Sequence, residues 1–193
     1  MPEPRARTRV ATEQALVDAG RQLINDRPFE SISNRDVAEL AGCNHGLITL
    51  YFGTKTGLFT RVLHVIVSEL GSAVAAGATV AELSELPAMT AYWRLLASLL
   101  GAGLDPELAT ASGTPVVEAI VQRSSAMSGL SLEDSRAFAS TVILMMGGFH
   151  VFGDVYRRGM APDGDAATAA RVLQQAANFM LRGLIESRTP PTQ

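Results

Sequence analysis

Gly42 constrains this chain more tightly than any other residue. It closes a short helical pattern that opens at Ser33, and Asn44, just beyond it, offers a fresh N-cap, so a second helix begins at once. Ser33 and Asp36 stand at the spacing at which two side chains satisfy free N–H groups of a first turn. Gly42 suits the left-handed position past a helix end, where a residue with a Cβ loses about 1–2 kcal/mol. Val37, Ala41, Cys43, Ile48 and Tyr51 then fall where two steeply crossed helices must pack, and Ala38 must be small because the second helix passes close above it. The spacing predicts a helix-turn-helix over residues 33–52. Its second helix, from His45 to about Tyr51, presents His45, Gly46, Leu47 and Thr49 near its N-terminal end, where base edges of a DNA major groove are reached. The same spacing also serves a plain αα corner in a helical bundle.

The rest of the chain reads as helix. Leu16, Ala19, Gly20, Leu23 and Ile24 give an amphipathic first helix from about Val10 to Arg27, stopped by Pro28. After Gly53 and Thr54 the apolar pattern Leu58, Phe59, Val62, Leu63, Ile66, Val67 and Leu70 predicts a fourth helix that connects two modules. Further helical patterns cover 88–102, 106–111, 115–126, 132–158 and 164–188, with breaks at Gly101-Ala102-Gly103, Ser112-Gly113, Ser128-Gly129 and 161–164. Strand-like alternation is absent. The expected fold is all-α, about nine helices: a three-helix DNA-binding domain at 1–55 and a larger helical bundle at 56–193 for ligand binding and dimerisation.

Charge and composition narrow the chemistry. The formal net charge is -3, so bulk positive charge cannot drive nucleic-acid binding, and any such contact must be local. Up to Arg61 there are eight basic and seven acidic residues, beyond it eight and twelve, an asymmetry of the right sign. The lone Cys43 excludes an internal disulfide and paired CxxC metal sites, and with no secretory pattern after Met1 a cytoplasmic protein is expected. The most apolar stretch, 142–152, is about half the ~20 residues a membrane span needs, so no membrane partner is expected. His45, His64 and His150 lie too far apart for a helical metal pair, and no phosphate loop or nucleophile elbow exists. Neither an enzyme nor a cofactor is expected.

The run from Phe29 to Leu58 resembles the DNA-binding domain of the tetracycline repressor (TetR) family, most specifically in Asn44-His45-Gly46 and Tyr51-Phe52-Gly53-Thr54-Lys55. The resemblance implies DNA contacts at Ser33, Arg35, Asn44, His45, Gly46, Leu47, Thr49, Tyr51 and Lys55. Lys55 is the only lysine among sixteen basic residues, and the family places a lysine here against a phosphate at the start of the fourth helix. Ser33 and Arg35 are phosphate contacts by the same resemblance. Arg5, Arg7 and Arg9 form a candidate arm toward a groove. Three positions depart from the common family pattern: Thr49 stands where many members carry an aromatic residue, Tyr51 where His is frequent, and Cys43 where Val or Ile is usual. Thr49 can still donate to a phosphate oxygen, with a shorter reach.

Between Leu132 and Tyr156 apolar residues stand on nearly every face, so this helix needs cover beyond its own domain. The last helix offers the stripe Ala166, Ala170, Leu173, Ala177, Leu181 and Leu184. A homodimer through 132–158 and 164–188 is expected, binding a near-palindromic double-stranded operator with recognition helices roughly 34–36 Å apart. Met89, Tyr92, Trp93, Met127, Phe138, Met145, Phe149, His150 and Tyr156 make a candidate pocket for a small hydrophobic or aromatic effector. The default mechanism is repression with ligand-induced release. The alternative is a helical ligand- or protein-binding regulator whose helix-turn-helix touches no DNA.

Overall fold

The computed structural model describes residues 8–160 and 166–188, so Arg5, Arg7 and the start of the last predicted helix at 164 lie outside the described residues. The described residues hold nine α-helices and no strand: α1 Arg9–Asp26, α2 Asn34–Ala41, α3 Gly46–Phe52, α4 Lys55–Ala75, α5 Val80–Glu85, α6 Pro87–Gly101, α7 Pro106–Ser128, α8 Leu132–Met160 and α9 Ala166–Arg188. A single 3₁₀ turn at Phe29–Ser31 links α1 to α2.

Two compact units form. The first takes the chain up to Val65 together with Arg94–Ala109; the second takes Ile66–Trp93 and the chain from Thr110 onward. In the first, α1 starts on an N-cap in which the Thr8 hydroxyl accepts from the Ala11 N–H, and it stops at Arg27, extended before Pro28. Leu16, Ile32, Val37, Ile48, Leu58, Phe59, Val62 and Leu63 make the core, with Leu95 and Leu99. Phe29 and Phe59 meet edge to face, ring centroids 5.2 Å apart. Gly20 lets α1 approach α4: a Cβ there would stand 3.0 Å from a Val62 methyl.

In the second unit α9 packs on α5 and α8. The predicted break at Ser112-Gly113 does not occur, since α7 is continuous from Pro106 to Ser128. An interior glycine costs a helix only about 1 kcal/mol, which packing can offset. Helix α5 lies in a stretch without a predicted helix, although Thr79 and Glu82 form a capping box like that of Ser33 and Asp36. The small-residue stripe of α9 is spent within the chain: Ala170, Leu173 and Ala177 are buried, while Val172, Phe179 and Ile185 stay exposed. Helix α8 carries two stripes. Ser135, Phe138, Ala139, Val142 and Met146 face inward, and Leu144, Val151, Phe152 and Val155 face out. Residues 55–75 and 132–153 are long and apolar enough to cross a membrane by length and composition alone. Most apolar side chains of α4, from Leu58 to Val74, are instead buried in protein cores.

Candidate nucleic-acid interface

The turn between α2 and α3 is built as its residue types require. Ser33 caps α2: its hydroxyl accepts from the Asp36 N–H at 3.2 Å, and its own N–H and O–H both donate to Asp36 Oδ2, at 2.7 and 2.8 Å. Those bonds, with the Arg27 guanidinium 3.6 Å away, hold the Asp36 carboxyl below the usual carboxylate range. Both donors of Ser33 are thus turned onto Asp36. The exposed Arg35, one residue into the helix, keeps its guanidinium outward.

Gly42 adopts φ 65, ψ 41 and closes α2 with both bonds of a Schellman motif, Cys43 N–H to Ala38 O at 2.9 Å and Gly42 N–H to Glu39 O at 3.1 Å. Cys43 is half-buried in this turn. Helix α3 starts at Gly46, one residue later than predicted, with His45 at the N-cap and no side-chain bond from it; Asn44, one residue earlier, supplies the acceptor instead, its Oδ1 taking the Gly46 N–H at 2.8 Å. Asn44 is an exposed residue.

On α3 only Ile48 is fully buried. His45, Gly46 and Thr49 are exposed as predicted, but Leu47 and Tyr51 are half-buried. The guanidinium of Arg9 lies 5.3 Å from the Tyr51 ring centroid, so the start of α1 stacks against α3. Leu50 is 71% exposed and was not among the predicted contacts. Helical spacing from Gly46 was signal enough, since i+3 and i+4 are Thr49 and Leu50.

The chain then turns sharply. Gly53 takes φ 74, and the Thr54 hydroxyl caps α4 by accepting from Gly57 N–H at 3.0 Å. Lys55 Nζ donates to Phe29 O at 2.6 Å and stands 4.0 Å from the Phe29 ring centroid, tying the loop after α1 to the first turn of α4. Burial pulls its ammonium below its ordinary pKa, against the charges of Glu30 and Asp36, which raise it. One donor is committed to Phe29, and the remaining ammonium donors are available to a phosphate. Gly57 is a second residue that sequence reasoning missed: an added Cβ would fall onto the Phe52 carbonyl oxygen, across the short turn from α3 into α4.

The candidate pocket residues of the second unit are not brought together as expected. Met89, Tyr92 and Trp93 line a small cavity of about 50 Å³, with Met146 and Ile143. Met127 and Phe138 line an adjoining cavity of about 310 Å³ between α5, α7, α8 and α9, which shares Leu83, Ile120 and Met146 with the first. Met145, Phe149 and His150 line neither of these two. His150 Nδ1 meets Thr90 Oγ1 at 3.1 Å, and the Phe149 and His150 rings touch edge to face. Trp93 leaves little room: a Cβ on Gly147 would stand 2.8 Å from its ring. Burial pushes the Tyr92 phenol up. The side chain of Tyr156 lies outside the described residues.

Residues 16–62 match the family model for bacterial regulatory proteins of the tetR family. No curated protein matches the chain. Among solved structures, a tetR-family transcriptional regulator from Streptomyces coelicolor is 15% identical, with a TM-score of 0.63, over 91% of this chain and 87% of that one. A TetR transcriptional regulator from Rhodococcus sp. is 16% identical, TM-score 0.59, over 90% and 97%. A TetR variant from Acinetobacter baumannii, in complex with minocycline, is 14% identical, TM-score 0.55, over 94% and 96%. At such identities the likeness is one of fold. Residues 16–62 thus carry the helix-turn-helix segment that the tetR family model describes, within a fold that the chain shares with these regulators.

Proposed function

We propose that this protein is a ligand-responsive transcriptional repressor that binds a near-palindromic operator as a homodimer and leaves it when a small, largely apolar effector binds. Residues 1–55 carry the DNA contacts and 56–193 the ligand and dimer contacts. It acts in the cytoplasm, without catalysis or cofactor. The observation that carries this reading is the exposed face of α3: His45, Gly46, Thr49 and Leu50 lie on one side, with the free Asn44 amide before them. Arg35 and Lys55 stand at the first turns of α2 and α4, where exposed N–H groups and positive charge together suit phosphate oxygens. Ser33 contributes through the turn it caps, and Leu47 and Tyr51 at the margin of the face.

Dimerisation is supported by the outward stripe of α8, in which Leu144 is 73% exposed, and by Phe179 on α9, 80% exposed. A second copy covers such a stripe with an identical one. Two heads about one DNA turn apart then engage both half-sites. A ligand that favours a dimer with differently spaced heads must weaken DNA binding by the factor by which DNA weakens ligand binding. The minocycline complex of the Acinetobacter relative supports a ligand role for this fold. Footprinting on the DNA upstream of the protein's own gene tests the reading. Two protected half-sites related by a dyad are expected; no protection at micromolar protein would refute it.

A further inference from the structure

The larger cavity of the second unit is apolar over most of its wall, which includes Ile120, Phe138, Val142 and Met146, and its polar side chains gather at the start of α5. Arg123 Nη1 donates to Ala78 O at 2.7 Å. The Ala81 N–H donates to Gln174 Oε1 at 3.1 Å, and Gln174 Nε2 donates to Asn178 Oδ1 at 3.0 Å. The backbone N–H of Ala81 therefore fixes the sense of both amides and leaves the Asn178 Nδ2 group as a donor. The Ser124 hydroxyl gives its proton to Val121 O. The donors left at this end of the cavity are the other N–H groups of Arg123 and the amide of Asn178, while the Ser124 oxygen keeps only acceptor capacity.

Among the described residues no Asp or Glu lines the cavity, and Arg123 is the only cation that does. The nearby Glu82 carboxylate, which feels the charge of Arg123, is occupied by the N–H and hydroxyl of Thr79. A neutral apolar ligand filling this space would strip water from the guanidinium and return nothing, a net cost. A carboxylate returns a charge-assisted, two-pronged pair. One cation matches one negative charge. The cavity, about 310 Å³, is on the order of ten water volumes.

We infer that this cavity binds an apolar monocarboxylate of on the order of ten heavy atoms, its carboxylate on Arg123 and Asn178 and its body against Phe138, Val142 and Met146. This rests on the reading of the second unit as an effector-binding domain and names the class of effector.

The test is calorimetric titration of the full chain with octanoate, 1-octanol and octylamine. Octanoate is expected to bind at one site per chain, at least about tenfold more tightly than octanol, a difference of about 1.4 kcal/mol. Octylamine is expected not to bind. Arg123→Gln should bring octanoate down to the level of octanol. Because Arg123 also ties down Ala78, the exposed Asn178→Leu serves as a second variant and should weaken octanoate several-fold while leaving octanol unchanged. Octanol binding as tightly as octanoate, or no octanoate binding, would overturn the inference even if Arg123→Gln did not fold. Octanoate that binds as expected but leaves operator affinity unchanged would uphold the cavity's chemistry and count against ligand-induced release.

Discussion

Replacing Lys55 with Met keeps the apolar stem and removes only the ammonium. That ammonium donates to the Phe29 carbonyl at 2.6 Å and sits over the Phe29 ring, which in turn abuts Phe59. A hydrogen bond to a charged group contributes about 1.5–3 kcal/mol and an exposed cation–π contact about 0.5–1. Lys55 is only half-buried, so solvent screening reduces both, to a combined loss of about 1.5–2 kcal/mol. For a chain of this length that lowers the melting temperature by about 3–8 °C in a scan followed by circular dichroism. A phosphate contact has a separate signature, because each neutralised phosphate contributes about 0.9 to the slope of log affinity against log salt. The variant should therefore lose about one unit of slope per head, besides its stability. Lower stability with an unchanged slope would make Lys55 a tether alone. Unchanged stability and slope would refute both roles.

Gly57→Ala should destabilise by more than about 2 kcal/mol, since its Cβ meets the Phe52 carbonyl, whereas Gly71→Ala in the same helix meets nothing and should stabilise by about 0.5–1 kcal/mol. Chemical denaturation of the two variants gives the comparison, and equal effects would show that the tight turn from Phe52 into α4 is wrong. Leu50→Ala should leave the melting temperature unchanged and reduce discrimination for a thymine in the half-site by about 1 kcal/mol, read by competition with sequence variants. The Asp36 carboxyl is held below its unfolded pKa. Its contribution is thus present above the ordinary carboxylate pKa and lost as pH falls through the lower folded value. Asp36→Asn should flatten the acid limb of a stability–pH profile, and an unaltered limb would exclude the capping box as its source.

The helix-turn-helix was legible in the sequence because its signals are local. Ser33, Asp36, Gly42 and Asn44 each act on backbone groups within a few residues, and each does what its type requires. The same reading applied to Thr79 and Glu82 would have found α5, whose apolar pattern is too short to register as periodicity. Where the outcome depends on which surface meets which, the sequence was silent. The α9 stripe reads equally well against a partner or against α5, and the chain uses it on itself. The pocket aromatics likewise read as one group, yet Trp93 fills the space beside Gly147 while the larger opening forms around Arg123 and Phe138. The apolar residue on the exposed side of α3 is Leu50 and not the half-buried Leu47, because α3 turns Leu47 toward the core beside Ile48 and leaves Leu50 beside Gly46 and Thr49.

In the proposed function α3 reads DNA from a symmetric dimer. Fluorescence anisotropy with a duplex carrying the footprinted site, at two salt concentrations, tests it most directly. A dimer on each duplex is expected, with affinity that falls steeply with salt through phosphate contacts from both heads and a large loss when one half-site is scrambled. Binding by a monomer, or affinity indifferent to salt and to the second half-site, would contradict it.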